Sequence, residues 1–363
     1  MIQELLLQIL RECFDNQKKL ENQIYPYNES LLELAYQHDI GLLIGDRIQL
    51  DREHHLFNQL IKQKNLERYY ENFTHFQSVA EAFEKLNIEY ITTKGLYVAK
   101  TAYKNEGYRH SEDLDVIIRK EDYLKAKEIL NTFGYVQGVY NSETKSIKKY
   151  SRQQELFFLL YTNQSAPFLK KTRNAFSPVV NLDLNFHIFW KDSDLWNISE
   201  LLTKSQFFKY KEFKIKTFQN EYVLLHICLH AYFDLNSVHV LYRSYSYKLK
   251  YFADVYGFIK HSNLTWEKFR EICIKYKVEK YIMYVLYYTC IIFNDDSLLS
   301  FVGLDIPEEN FLNRFGLNNE GYFYWKDSFM DRLFCSDKYK LLDKYFDDDI
   351  KTKIKQGRLL EGF

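Results

Sequence analysis

The sequence predicts an α+β protein in which helices outnumber strands and a strand-bearing core lies between two helical regions. Three observations support this fold class. The 363 residues include only 12 glycines and 4 prolines, too few for the many turns of a β-sandwich or for flexible linkers. Apolar residues recur at three- and four-residue spacing towards both ends of the chain. Between these ends, short β-branched and aromatic segments alternate with turns.

The first element is a helical N-terminal region over residues 1–86. Leu31, Leu32 and Ala35 show the spacing of one helix face, and similar spacing continues to Phe83. Acidic residues interrupt the apolar run within residues 1–16, so we expect an amphipathic helix at the start of the chain and not a signal peptide.

The second element is a core over residues 87–195, in which strands and helices alternate. The predicted elements are a strand over 88–93, a tight turn at Lys94-Gly95, a helix to Tyr103, a strand over 114–118, a helix over 121–133, a strand over 156–161 and a strand over 179–190. Along the last of these, apolar side chains alternate with Asp183, Asn185 and His187. Because strand side chains alternate between faces, those three share one polar face.

The third element is a mainly helical C-terminal lobe over residues 196–363, with its boundary placed near residue 195. Helical periodicity is strongest in 221–233 and 251–259. Residues 347–363 alternate acids and bases, which predicts a polar tail or a solvated helix end.

Charge, cysteine content and hydropathy limit the classes of partner. Lysine and arginine together number 49, as do aspartate and glutamate, so no overall field would gather a long nucleic acid or an anionic membrane. The longest apolar stretch, 281–293, is shorter than the roughly 20 residues that cross a bilayer. Five scattered cysteines without a C-x-x-C pair predict reduced thiols. We therefore expect a cytoplasmic protein without a membrane partner.

Asp113 and Asp115 are separated by one residue at the start of a predicted strand, so both side chains point to the same face. Alone, such a pair is more typical of solvated acids at the start of a strand. Here, Lys94-Gly95 lies upstream and Asp183 lies downstream on the polar face of another strand. Three carboxylates on neighbouring strands can hold divalent cations, which nucleotidyl transfer needs to neutralise phosphate oxygens and align an attacking hydroxyl.

The Lys94-Gly95 turn is a candidate triphosphate site. The first amides of the following helix lack helical partners and the helix dipole is positive there, so this end attracts anions. Glycine allows close approach of a phosphate, and Lys94 adds a charge. An ordinary turn glycine is the competing interpretation.

Several segments together resemble a known family. Residues 94–103 (KGLYVAKTAY) and 107–118 (GYRHSEDLDVII) are similar to its K-G-x-x-L-a…Y…R-x-x-x-D-x-D signature. Residues 34–43 (LAYQHDIGLL), 224–230 (LLHICLH) and 249–254 (LKYFAD) are similar to further segments. Over roughly residues 30–260, the chain thus resembles the uncharacterised bacterial nucleotidyltransferases of the DNA polymerase beta-like superfamily.

The resemblance implies a polymerase-beta-like nucleotidyltransferase core, which is a small mixed sheet flanked by helices. It implies Mg²⁺, with Mn²⁺ as the alternative ion, on Asp113, Asp115 and Asp183, and a nucleoside triphosphate as donor. Arg109 matches the family arginine. It would bind phosphate or brace an aspartate, and a structural salt bridge is the alternative.

The chain also departs from the pattern that it resembles. The superfamily usually has Gly-Ser where this chain has Lys94-Gly95. The family's third strand reads acid-x-His-Trp, whereas here Asn185 comes two residues after Asp183 and the histidine is His187. With Lys94, Gly95 and Arg109, we count Ser111 and His187 as candidate nucleotide-binding residues.

His226 and His230 have the four-residue spacing of zinc ligands on a helix. The glutamate of the zincin motif is absent from this segment, which favours packed histidines in the helical lobe.

The leading functional hypothesis is a Mg²⁺-dependent enzyme that moves a nucleoside monophosphate from a triphosphate to a hydroxyl or phosphate of an unidentified small molecule, peptide or protein. One alternative is a nucleotide-binding or scaffolding module without turnover. The other is a toxin-like nucleotidyltransferase that acts on protein or tRNA.

Overall fold

The computed structural model of the protein describes residues 2–15, 23–189, 197–244, 247–317 and 322–352. The helices are α1 (Ile2–Cys13), α2 (Glu29–Gln37), α3 (Gly41–Gly45), α4 (Arg52–Lys85), α5 (Gly95–Ala102), α6 (Tyr123–Thr132), α7 (Arg152–Tyr161), α8 (Ile198–Leu202), α9 (Asn220–Asn236), α10 (Val238–Ser244), α11 (Leu249–His261), α12 (Trp266–Lys275), α13 (Glu279–Phe293), α14 (Ser297–Val302), α15 (Glu309–Leu312), α16 (Phe329–Leu333) and α17 (Lys338–Asp343). The strands are β1 (Tyr90–Thr92), β2 (Leu114–Ile118), β3 (Val136–Asn141), β4 (Ser146–Lys149), β5 (Phe168–Lys171), β6 (Val179–Asn185), β7 (Ser205–Tyr210), β8 (Phe213–Phe218), β9 (Arg314–Phe315) and β10 (Phe323–Tyr324). The chain is therefore a mixed α+β protein, as predicted.

The chain divides into two compact units. The helical unit comprises the described parts of Met1–Leu60, Thr101–Tyr103 and Ile227–Leu359, and the sheet unit comprises Ile61–Lys100 and Lys104–His226. The predicted boundary near residue 195 lies outside the described residues, as does most of the predicted polar tail. The three-part division at 86 and 195 stays a prediction.

The helical unit is held together largely by aromatic side chains. The rings of Tyr256 and Phe293 stack with their centroids 3.9 Å apart, and Phe14 meets Tyr256 edge-on at 5.8 Å. Tyr103 packs against the same Phe14 ring and donates a hydrogen bond to Asp254 at 2.7 Å. Buried aromatic pairs of this kind stabilise a core beyond the area that they bury. Much of the high tyrosine and phenylalanine content therefore serves packing.

The sheet unit is built on one eight-stranded mixed sheet with the order β4-β3-β5-β6-β2-β1-β8-β7. The central strand β2 is parallel to β6 and antiparallel to β1. One face of these strands is apolar and joins helices α4 and α6 in a single core. That core includes Phe73, Phe76, Val79, Phe83, Ala126, Leu130, Leu114, Val116, Ile118, Leu182 and Leu184. Side chains alternate along a strand, so the residues between these apolar ones point to the opposite face.

The predicted strand over 156–161 is wrong, because these residues belong to helix α7. Ser151 caps this helix: its side chain accepts from the Gln154 amide, and the Gln154 side chain accepts from the Ser151 amide. This reciprocal capping box fixes a helix start. A short run of apolar residues suits a buried strand or a helix equally well, so periodicity alone did not separate them.

The sheet is larger than predicted, because two of its strands follow residue 190, in a region predicted to be mainly helical. Strands β7 and β8 form an antiparallel hairpin, and β8 extends the sheet by pairing Thr217 with Thr92 of β1. In β8, the buried Phe213 and Ile215 alternate with lysines. This two-residue alternation is the signal of a strand with one solvated face.

Candidate active site

Two of the three predicted acids lie directly opposite each other on adjacent strands. The parallel register of β2 and β6 pairs Asp115 with Asp183, and the flanking pairs Leu114–Leu182 and Val116–Leu184 are buried. The buried leucine and valine side chains hold the register, since a shift of one residue would move them to the polar face. The two carboxylates are therefore fixed on the same side of the sheet.

Asp113 completes a cluster of three carboxylates. It precedes β2 by one residue and is half-buried. One carboxylate oxygen from each of Asp113, Asp115 and Asp183 lies within 4.8 Å of the other two. Oxygen ligands at this separation can share one divalent cation or bridge two. The acids that the sequence predicted to converge do lie together.

Asp183 is the most buried of the three acids, at 7% exposure. Its Oδ2 accepts a hydrogen bond from Gln164 Nε2 at 3.4 Å, whereas its Oδ1 is buried and has no hydrogen-bond partner among the described residues. Burial raises the pKa of Asp183 well above its ordinary value, and the charges of Asp113 and Asp115 raise it further. A buried carboxylate oxygen without a partner is unfavourable unless a cation or donor reaches it.

Asp115 is held at both oxygens. Asn185 Nδ2 donates to its Oδ1 at 3.0 Å, and Lys94 Nζ lies 3.2 Å from its Oδ2. Two donors on one carboxylate fix its orientation, as the residues behind a metal ligand commonly do. Asn185 at the end of β6 and Lys94 after β1 thus position Asp115 together.

The Lys94-Gly95 turn begins helix α5, as predicted. Both residues have positive φ angles, +47° at Lys94 and +42° at Gly95. A β-carbon added at Gly95 would meet only Ser111 Oγ, at 4.0 Å. The Ser111 hydroxyl is therefore close to this turn. Glycine suits the position because of its backbone conformation, since the surrounding space is open.

Arg109 is buried at 8% exposure. Its Nη1 lies 3.5 Å from the Gly95 carbonyl oxygen, and its own carbonyl accepts a hydrogen bond from Tyr69 at 2.9 Å. The side chain thus reaches the Lys94-Gly95 turn. Its predicted roles toward phosphate or an aspartate remain predictions.

The histidines differ in their environments. His226 is buried, and burial together with the charge of Lys94 lowers its pKa to about 3, so it is neutral at physiological pH. His230 lies 3.5 Å from Asp234 within the helical unit. The group of possible metal ligands found among the described residues contains neither histidine. His187 follows β6 and is half-buried, and its nucleotide role stays a prediction.

The match to known families agrees with this geometry. A family model described as uncharacterised nucleotidyltransferase matches residues 28–294, which is most of the chain. The chain belongs to this nucleotidyltransferase family. Comparison with the curated proteins gives no match. The family implies a nucleoside triphosphate substrate and transferase chemistry, and the acid cluster could hold a metal ion.

Two polar residues that contact the acid cluster, Gln164 and Asn185, were not recognised as such from the sequence. Gln164 lies in the loop after α7, and nothing in its local pattern distinguishes it from a solvated glutamine. Asn185 was placed on the polar face of its strand, but its bond to Asp115 follows from the β2–β6 register.

Among the described helices, none combines the length and apolarity needed to cross a bilayer.

Proposed function

We propose that this chain is a metal-dependent nucleotidyltransferase with a polymerase-beta-like core. It moves a nucleoside monophosphate from a triphosphate to a hydroxyl or phosphate of a small molecule, peptide or protein. The observation that carries the proposal is the convergence of Asp113, Asp115 and Asp183 within 4.8 Å on one side of the sheet. Transfer at a phosphate needs this concentration of charge, because little else than positioning and electrostatics lowers its barrier.

The residues present fit a hard divalent cation. Three carboxylates offer oxygen ligands only, which Mg²⁺ and Mn²⁺ prefer. The Asp183 Oδ1 atom is buried without a hydrogen bond from a described residue, as is expected of an oxygen that binds a cation. Asp113, Asp115 and Asp183 would hold the ion. When bound, Mg²⁺ would neutralise the phosphate oxygens and orient the attacking oxygen.

Proton acceptance and triphosphate binding would depend on residues in and around the acid cluster. Asp183, which faces Asp115 across the two strands, would help to accept the proton of the attacking hydroxyl. The Lys94 ammonium and the first amides of α5 would bind the β- and γ-phosphates. Arg109, Ser111 and His187 would complete the triphosphate site.

The setting proposed for this reaction is the cytoplasm. All five cysteines are unpaired thiols, and burial raises the pKa of Cys290 to about 12. Thiols that form no disulfide fit a reducing compartment.

The experiment that tests the proposal follows two labels. Each of the four common triphosphates, labelled at either the α- or the γ-phosphorus, is incubated with protein, Mg²⁺ and a cell extract as the source of acceptors. We expect the α-label to enter a new product while the γ-label leaves as pyrophosphate. The Asp113→Asn, Asp115→Asn double variant should show neither.

Other outcomes of this experiment contradict the proposal. Transfer of the γ-label to a product would make the protein a phosphotransferase. Movement of neither label, in any fraction of the extract, would favour a nucleotide-binding module without turnover. Size fractionation of a labelled product separates small-molecule acceptors from protein and tRNA.

A further inference from the structure

Lys94 places an amine directly on a carboxylate that would hold the metal. Its Nζ lies 3.2 Å from Asp115 Oδ2, and its side chain is only 17% exposed. Asn185 occupies the other oxygen of the same carboxylate. The bond to Lys94 is therefore the one that a cation approaching Asp115 must compete with.

The backbone at Lys94 is strained in a way that places this amine. Its φ of +47° lies in the left-handed region, which is unfavourable for a residue with a β-carbon. Strained conformations persist where the surrounding structure enforces them, and they are frequent in functional sites. Together with the register of β2, this turn brings the lysine side chain to the acid cluster.

The ammonium of Lys94 lies beside a cluster of acids and not beside one acid alone. Its partner Asp115 pairs in register with Asp183, and one oxygen from each of Asp113, Asp115 and Asp183 lies within 4.8 Å of the other two. A positive charge at this position offsets the repulsion among the three carboxylates.

We propose that Lys94 is the built-in counter-ion of the acid cluster, and that its ammonium leaves Asp115 when a divalent cation binds. Released, the same ammonium reaches the phosphates of the incoming triphosphate. Lys94 would then oppose binding of the cation alone and favour binding of the triphosphate. This inference rests on the proposed function, because it assumes that the acid cluster is a cation site.

The first test is a titration of Mn²⁺ alone, followed by calorimetry and by the paramagnetic signal of the free ion. Wild type is compared with Lys94→Met, which removes the charge, and with Lys94→Arg, which retains it. Lys94→Gln repeats the loss of charge with a polar side chain, in case the methionine variant folds poorly. Lys100→Met is the matched control, since Lys100 lies on helix α5, which begins directly after Lys94, is 52% exposed and pairs with Glu106.

Loss of the Lys94 charge should tighten Mn²⁺ binding on the order of tenfold, because a like charge next to the ion is removed. Lys94→Arg and Lys100→Met should bind as wild type does. With saturating Mn²⁺, a non-hydrolysable triphosphate analogue should bind Lys94→Met on the order of tenfold more weakly. Loss of the Lys94 charge would thus raise the affinity for Mn²⁺ and lower the affinity for the triphosphate analogue. Opposite changes of this kind are expected of a counter-ion that changes partners.

Two results would overturn the inference while leaving the proposed function in place. In the first, wild type binds Mn²⁺, and both Lys94→Met and Lys94→Gln bind it with equal or lower affinity. Lys94 would then be a structural support of Asp115. The other is unchanged affinity of these variants for the triphosphate analogue. If neither wild type nor the charge-loss variants bind Mn²⁺, the proposed function fails and the inference with it.

Discussion

Asp115 and Asp183 are register partners on the parallel strands β2 and β6, so two carboxylates face each other across one strand-to-strand distance. Neighbouring parallel strands lie about 4.8 Å apart, and Asp113 brings a third carboxylate within the same reach. The negative charges of these carboxylates repel one another unless a cation or a proton neutralises part of the charge. Stability and cation binding should therefore be coupled at this site.

Replacement of Asp183 by asparagine should stabilise the protein in metal-free buffer. The folded-state pKa of Asp183 is raised, so its favourable contribution at low pH is lost as pH rises through that pKa. At neutral pH the variant should gain about 1 kcal/mol or more in free energy of unfolding. The gain should disappear as pH falls below the unfolded aspartate pKa of about 3.9. Chemical denaturation at about pH 3.5 and at pH 8 measures both.

The same variant should lose the stabilisation that Mn²⁺ or Mg²⁺ gives to wild type, because a cation that binds only the folded state raises its stability by mass action. Thermal melts with and without the ion test this. A variant that is less stable than wild type at neutral pH, or that keeps the full metal-induced shift, would argue against the cluster as a cation site.

Replacement of Asn185 by alanine should weaken cation binding by about tenfold, because Asp115 loses the donor at its Oδ1. Asn181→Ala, on the same strand β6, is the matched control and should bind the ion as wild type does. Mn²⁺ titration of both variants gives the comparison. Equal affinities in the two variants would show that Asn185 does not position Asp115.

The pH dependence of stability should carry a contribution from His226. Its folded-state pKa is about 3, below that of an unfolded histidine near 6.5. The unfolded chain therefore binds the extra proton as pH falls from about 6.5, and stability is lost in that direction by about 1.4 kcal/mol for each pH unit.

His226→Gln should remove that contribution, so its stability should fall less steeply than that of wild type between pH 6.5 and pH 4.5. Urea unfolding at several pH values measures the two slopes, and comparison of slopes removes any constant packing defect of the variant. Parallel curves would mean that His226 titrates in the folded protein as it does in the unfolded chain.

Replacement of Gly95 by alanine should destabilise the fold by about 1 kcal/mol through the backbone alone. The residue has a φ of +42° while the space around a new β-carbon is open, so left-handed strain is the expected cause. Urea unfolding measures the loss. A neutral substitution would show that the turn relaxes, and a much larger loss would indicate a steric clash.

The strands that position the site were predictable because their patterns are local. In β6, the apolar Leu182 and Leu184 alternate with Asp183 and Asn185, and such alternation predicts a half-buried strand. Strand β8 begins with the same alternation, but long helical segments follow it, and the whole region was predicted to be mainly helical. The prediction for helix α7 was wrong for a different reason. Its start depends on a capping box, and its apolar residues fit a strand as well as a helix.

The convergence of the acids was predictable from spacing and family resemblance, whereas their supporting contacts were not. Bonds such as Asn185 to Asp115 depend on which residues of two strands stand opposite each other. The register is set by the packing of the whole sheet, which no single segment encodes. The Lys94 ion pair depends further on a left-handed backbone, which lysine seldom adopts.

The most direct test of the account is calorimetric titration of ATP, GTP, CTP and UTP analogues that cannot be hydrolysed, with and without Mg²⁺. The titrations use wild type and the Asp113→Asn, Asp115→Asn double variant. We expect one triphosphate to bind wild type in a Mg²⁺-dependent manner and to bind the folded double variant at least about tenfold more weakly. Absence of binding by all four, or equal binding by both proteins, would contradict a metal-dependent nucleotidyltransferase site on these aspartates.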